Sequence, residues 1–327
     1  MYKFLLLILS VFTLVLSGCS VKSDQAAADK KEYHIGILLS DTGLGDGSFN
    51  DSAFKGLEKA RDELGFLFDY REAPNGNEEK ALEELVKQGN DLIIGLGFSA
   101  QPALEAVAKK HPDQRFVLID GMSTVKNIKS ITFKEQEGSF LVGMAAAMTT
   151  KSHTIGFIGG AQAPVIQKFK NGYTAGAHYI DPNINVLVDF ADTFSDDKKG
   201  TELAEKQMKN KADFLYPAAG FTGVGALKAA EKKGIYSAGV DSDQHFIAEK
   251  SIVTSMMKNI DTVVYNLAKE FNKNGRIDMS PEELGLKENG VGLAPFTLIQ
   301  LTPGDLEKLD EAKNKLIHGE IPIPEND

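Results

Sequence analysis

The stretch HIGILLSDTGLGDGSFNDSAFKGLEKARDEL, residues 34–64, decides the fold. It reads as a short apolar run (34–40), a glycine-rich loop (41–50) and a segment (52–64) in which Ala53, Phe54, Leu57, Ala60 and Leu64 share one stripe at helical spacing. A strand feeding a helix through a tight loop is the start of a βαβ unit, and the pattern recurs along the chain. DLIIG (91–95) and RFVLID (115–120) repeat it in the first half; HTIGFIG (153–159), NVLVDF (185–190), DFLYP (213–217) and YSAGVD (236–241) repeat it in the second. Between them lies an amphipathic stretch at 78–88, with Ala81, Leu82, Leu85 and Val86 on one face, Asn77 as its expected N-cap and Gly89 as its stop. Alternating strands and helices predict parallel sheets with helical crossovers. One doubly wound sheet packs about five or six strands, so eight or more such runs divide better between two sheets.

The expected architecture is therefore α/β, with two doubly wound parallel-sheet lobes joined by a hinge. The chain divides near residue 134, and a late helix at 261–271 returns to the first lobe. This gives an expected N-terminal lobe of 33–133 plus 259–280 and a C-terminal lobe of 134–258 plus 281–327. Ligands of open parallel sheets bind beyond the carboxyl ends of the strands, so two lobes facing each other there would form a cleft.

Composition sets the limits of function. The chain has 327 residues, 42% of them hydrophobic and 25% charged, which excludes a disordered or fibrous protein. Its 46 acidic residues against 36 basic ones give a net charge of -10, which argues against nucleic acid as a partner. A single Cys forms no intramolecular disulfide, and no Cys/His cluster is spaced for zinc. That Cys is Cys19. It follows Lys3, an apolar run at 4–16 and the small residues Ser17 and Gly18, the layout of a signal peptide. A transmembrane anchor is the alternative, but the run is short for a bilayer. Leu16-Ser17-Gly18-Cys19 resembles the bacterial lipobox, which implies cleavage after residue 18 and lipidation of Cys19. Residues 19–32 are small, polar and charged, the composition of a flexible tether. The expected location is the outer face of the cell membrane, held by lipid alone.

Residues just after the strands are the candidates for chemistry. The loop DTGLGDGSFN (41–50) is open to three readings: a phosphate cradle, a turn whose Asn50 or Asp51 caps the next helix, or a loop presenting an aromatic and polar groups to a neutral ligand. GxGxG is not the dinucleotide GxGxxG, no GxxxxGK[ST] occurs, and aspartates within the loop repel phosphate. Asp120 and Asp241 each end a strand, where a carboxylate either caps the next turn or accepts hydrogen bonds from vicinal hydroxyls or a base edge. Phe194, in the polar loop DTFSD, either folds back on the core or joins Phe49 in sandwiching a planar ring. Lys258, after IVTSMM, is either a solvated lysine or a cationic donor at the cleft.

Taken in order, DTGLGDGSFN, FKEQEGSFLVG (133–143), IGFIGG…PVI…F…GY…G (155–176), FSDDKKG (194–200), AAGFTGVG (218–225), GVDSDQ (239–244) and TSMMKNID (254–261) resemble the basic membrane protein family. These are substrate-binding lipoproteins of ABC importers, similar to purine nucleoside receptors, and the resemblance covers nearly all of 33–300. It implies a type I periplasmic-binding-protein fold and capture of a nucleoside between the lobes. By that resemblance Phe49 and Phe194 stack on the base, Asn50 and Asp120 lie near its edge, Asp241 accepts from ribose hydroxyls beside Lys258, Gly220 brings backbone close, and Asp41 is a weaker match. The implied partners are a permease and an ATPase, with the binding protein a monomer. Gly47 stands where the common form has Lys, and Phe221 where a small residue is usual, so base preference stays open. No catalytic motif appears: no HExxH, no GxSxG elbow, and the lone Cys is assigned to lipid. No cofactor is expected. A membrane-tethered sensor on the same fold is the alternative to transport.

Overall fold

A computed structural model describes residues 33–73 and 76–324. The expected signal peptide (1–18), the tether (19–32) and lipidated Cys19 lie outside the described residues. The deciding stretch folds as β1 (His34–Leu38), a loop, and α1 (Phe49–Leu64), which stops on Gly65 at a left-handed φ of 76°. The units β2 (Leu67–Arg71), α2 (Glu78–Lys87), β3 (Leu92–Leu96), α3 (Gln101–Lys110), β4 (Arg115–Ile119) and β5 (Ile128–Phe133) follow. After a crossing at 133–135 the second lobe runs α4 (Glu135–Thr149), β6 (Thr154–Gly159), α5 (Pro164–Ile180), β7 (Asn185–Phe190), α6 (Asp197–Lys209), β8 (Phe214–Ala218), α7 (Gly220–Lys233), β9 (Tyr236–Asp241) and β10 (Ile252–Lys258). A second crossing at 258–260 leads into α8 (Ile260–Asn274), which packs on α1. Then come β11 (Glu282–Leu284), β12 (Val291–Leu293) and α9 (Pro303–Ile317).

The two sheets share one strand order, β2-β1-β3-β4-β5-β11 and β7-β6-β8-β9-β10-β12. β11 is parallel to β5, so the first sheet continues past residue 280, where the second lobe was expected to resume; the return falls between Leu284 and Val291. β12 pairs antiparallel with β10. Asn77 occupies the N-cap position of α2, but its side chain makes no capping bond.

Strands buried on both faces explain the continuous apolar runs of β3, β4, β6 and β8. In β4, Phe116 and Leu118 cluster with Leu82, Leu85, Leu104 and Val107 of α2 and α3. Val117 and Ile119 alternate to the opposite side, with Leu57 of α1 and Leu267 of α8. The second lobe packs α6 and α7 on one face and α4 and α5 on the other. α4 and α5 approach so closely that a Cβ on Gly143 or Gly176 would run into the facing backbone at Tyr173 or Phe140. Glycines of the FKEQEGSFLVG and GY…G motifs thus serve packing. Among the described residues, no helix is long and apolar enough to cross a membrane.

Candidate functional site

Because both sheets end their strands toward the same cleft, the residues after β1, β3, β4, β7, β8, β9 and β10 converge there. They line a cavity of about 340 Å³, within the range of small-molecule sites. Asp41, Phe49, Asp120, Phe194, Gly220, Asp241 and Lys258 are all on its wall, joined by Ser40, Thr42, Asp46, Phe98, Phe169 and Asp192.

Asn50 is not. It is fully buried in the first turn of α1, where its Oδ1 accepts from the Ser40 amide at 2.9 Å and its Nδ2 donates to Ser40 Oγ and to Asp46 at 2.9 and 3.0 Å. The amide is consumed in pinning the loop to the end of β1, so the expected contact with a base edge is corrected to a structural role.

The loop itself is organised by carboxylates. Asp46 accepts from the backbone amides of Ser48, Asn50 and Asp51 at 2.9, 2.9 and 3.2 Å, capping α1 from outside the helix. Asp51 accepts from Gly45 and Gly47, both at 2.8 Å, and Glu72 from Leu44 at 2.9 Å. Gly43, Gly45 and Gly47 all have positive φ, at 70°, 92° and 59°, which lets the chain fold back on these side chains. With those amides already bonded to carboxylates, the loop has no cradle for phosphate. What it presents is the Phe49 ring, 5.3 Å from the Lys258 ammonium. Sequence reading missed Asp46 as the organising residue; its place just before a helix start was the available signal.

Asp120 follows β4 and Asp241 ends β9, the corresponding fourth strands of the two sheets, and both are left-handed, with φ of 66° and 65°. Such a conformation in a non-glycine residue re-aims the side chain and is concentrated at functional sites. Asp241 Oδ2 accepts from Ser48 Oγ at 2.5 Å, a bond between lobes. Burial pushes the Asp241 carboxyl up to about 6, against the pull of Lys258 and Ser48. Two further bonds join the lobes beside it: Ser242 Oγ and Gln244 Nε2 both donate to Gly47 O, at 2.8 and 3.2 Å.

Lys258 is 1% exposed, which excludes the solvated-lysine reading. Its ammonium lies 2.5 Å from Asp120 Oδ2 and 2.9 Å from Glu135 Oε1. Burial pulls its pKa down, but Asp120, Glu135 and Asp241 together outweigh that and hold it above the ordinary lysine range. Burial likewise pushes Glu135 up against the attraction of Lys258. Phe194 packs against Gly160 and sets its ring centroid 6.4 Å from that of Phe98 at an angle of 62°. Gly220, at φ 54°, would place a Cβ 3.3 Å from the Phe194 carbonyl oxygen. Phe98, Phe169 and Glu135 were not foreseen; among the described residues no group of side chains is arranged for a metal.

Two lobes with the same strand order, meeting around a cavity of carboxylates and aromatic rings, form a bilobed ligand-binding architecture. Residues 34–327 match the family described as ABC transporter substrate-binding protein PnrA-like, and the chain belongs to that family. Its members are binding components of transporters, not enzymes. Relatives include the "CD4+ T-cell-stimulating antigen" of Listeria innocua, 30% identical over 95% of each chain. "Basic membrane protein A" of Borreliella burgdorferi is 30% identical over 100% of this chain and 96% of its own. The "ABC transporter nucleoside-binding protein BmpA" of Lactococcus lactis is 32% identical over 95% of each. Among solved structures, an ABC transporter solute-binding protein from Aeropyrum pernix superposes with a TM-score of 0.83 at 27% identity, covering 90% of this chain and 94% of its own. A transcriptional activator of the comK gene, from Bacillus halodurans, gives 0.76 at 25%, covering 89% and 99%.

Proposed function

We propose that this chain is a lipid-anchored, extracytoplasmic binding protein that captures a nucleoside, a purine nucleoside in the first instance, and delivers it as a monomer to an ABC permease and its ATPase. The observation that carries the reading is the pairing of two strand-end carboxylates, Asp241 buried and Asp120 with its side chain 7% exposed, with the Phe49 and Phe194 rings around one cavity. A nucleoside has the matching parts: a planar base with donor edges, and vicinal hydroxyls that donate to a carboxylate. The name of the Lactococcus relative supports the same ligand class. Asp41, at the exposed mouth, is assigned a peripheral contact. Bonds already joining the lobes at Ser48, Ser242 and Gln244 support capture by hinge closure, in which a ligand touching both lobes favours the closed form by its differential affinity.

Calorimetric titration with purine and pyrimidine nucleosides, free bases and ribose tests this. A nucleoside binding tighter than about 0.1 mM, near -5.5 kcal/mol, is expected, and its failure to appear refutes the reading. A sensor role is the second reading, supported by the likeness to the Bacillus halodurans transcriptional activator. Co-purification with permease subunits separates the two.

A further inference from the structure

Glu135 opens α4 at the first crossing between the lobes and is 1% exposed, yet it is not on the cavity wall. Its oxygens face two ammonium groups, Lys258 at 2.9 Å and Lys168 of α5 at 3.7 Å. Lys168 in turn donates to the Phe133 carbonyl at 2.9 Å and lies 3.2 Å from Glu283 of β11. On the cavity side, Lys258 holds Asp120 through Oδ2, while Asp120 Oδ1 is buried with no hydrogen-bond partner among the described residues.

The charges therefore alternate along one row: Asp120, Lys258, Glu135, Lys168, Glu283. The row starts in the cavity and takes members from β4 and β11 of the first sheet and from β10, α4 and α5 of the second lobe. Lys258, Glu135 and Glu283 stand at or beside the three places where the chain passes between lobes. Without Glu135, two ammonium groups would face the same buried space and Lys258 would have Asp120 as its nearest remaining counter-ion.

We propose that Glu135 is a positioning residue for ligand capture: it shares the Lys258 ammonium with Asp120, leaving Asp120 Oδ1 for the ligand, and ties the cavity to the hinge through Lys168. The inference rests on the cavity being the ligand site. It assigns Glu135 no contact with ligand.

Two measurements on the whole protein test it. Titration with inosine, guanosine and adenosine should show Glu135→Gln weakened at least about tenfold, as expected when one partner of a buried charge pair is removed. Glu135→Asp, which keeps the charge, should recover at least half of that loss on a logarithmic scale. Binding by Glu135→Gln within twofold of the wild type, or a Glu135→Asp variant as weak as Glu135→Gln, overturns the proposal. The second measurement needs no ligand: a thermal-unfolding cycle of Glu135→Gln, Asp120→Asn and the double variant. Because both carboxylates share one ammonium, the double variant should lose more in Tm than the two single losses added together; additive losses overturn the sharing. Should Glu135→Gln not fold, the cycle is run from Glu135→Met, which removes the charge without leaving a polar group unpaired, with the same criterion. If the wild type binds none of the three nucleosides, the nucleoside reading fails on its own, and the unfolding cycle still decides whether Glu135 and Asp120 share the Lys258 ammonium.

Discussion

Replacing Asp241 with Asn should raise stability and weaken binding, with a pH signature that identifies the cause. Burial raises the Asp241 pKa from 3.8 to about 6, so the folded protein holds this proton more tightly than the unfolded chain does. Between those two values the folded state binds more protons, and the group's contribution to stability falls as pH rises through the window. Above it the penalty is full, about 3 kcal/mol; at pH 5 about half is left; near pH 4 and below little remains. Asn carries no charge to desolvate, and its carbonyl can still accept from Ser48 Oγ. The variant should therefore be more stable than the wild type by about 1–3 kcal/mol at pH 7.5, a few degrees in Tm for a chain of this size, and nearly equal to it at pH 4. Binding should run the other way. Loss of a charged acceptor for ligand hydroxyls costs about 1.5–3 kcal/mol, roughly ten- to a hundredfold in Kd. The wild type itself should bind about tenfold more weakly at pH 5 than at pH 7, because only about a tenth of Asp241 is then ionised, whereas the variant should be flat across that range. Urea unfolding and calorimetry at pH 4, 5, 6 and 7.5 read both quantities. A stability difference that does not change with pH, or unaltered ligand affinity, would refute the reasoning.

Lys258→Met should cost about 3–5 kcal/mol in urea unfolding, because it strands Asp120 and Glu135 as buried carboxylates, and adding Asp120→Asn should restore part of the loss. Gly220→Ala forces a side chain into a left-handed position, costing about 1–2 kcal/mol, and crowds the Phe194 carbonyl, so stability and affinity should fall together in denaturation and titration. Phe49→Ala should weaken nucleoside binding by at least about tenfold, since stacking contributes about 0.5–1.5 kcal/mol beyond the area the ring covers, with the fold retained by circular dichroism. Five aspartates line the cavity against Lys258, already held by two carboxylates. Nucleoside 5′-monophosphates should consequently compete on the order of a hundredfold less well than the nucleosides, and equal competition would contradict the charge argument.

How much of this was written in the sequence depends on whether a residue's partner is near it in the chain. The strands that showed as apolar runs, such as LIIGL and RFVLI, are buried on both faces, and burial is what puts a continuous run there. β2 did not show because LFDYR, an edge strand, has Asp69 and Arg71 breaking any apolar run, whereas the edge strand β7 keeps Val186, Leu187 and Val188 together. β5 did not show because IKSITF contains a buried Lys129, whose ammonium escapes to Ser280 O and Glu282 at 2.8 and 2.7 Å across the sheet edge, a rescue more than 150 residues away. β11 and β12 are three residues each, and only their neighbours make them strands.

The site divides along the same line. Asp120, Asp241 and Lys258 were legible because the end of a strand is a position that sequence alone locates, and sheet topology does the rest. Asn50 was misread because its residue type and place, a polar side chain next to Phe49, fit both a ligand contact and a loop pin; the short distance back to Ser40 decides for the pin, and that distance exists only once β1 and α1 are packed. Glu135 shows the signal that was available and unused. It sits at the head of EQEGSFLVGMAAAMT, a helix whose residues from Gly138 to Ala146 are all buried. An ionised side chain leading such a helix into the core must find an opposite charge there, since unpaired buried charge is too costly to keep. The burial of that residue, which the structure shows, calls for a cation beside it, and Lys258 at the end of a distant strand supplies it.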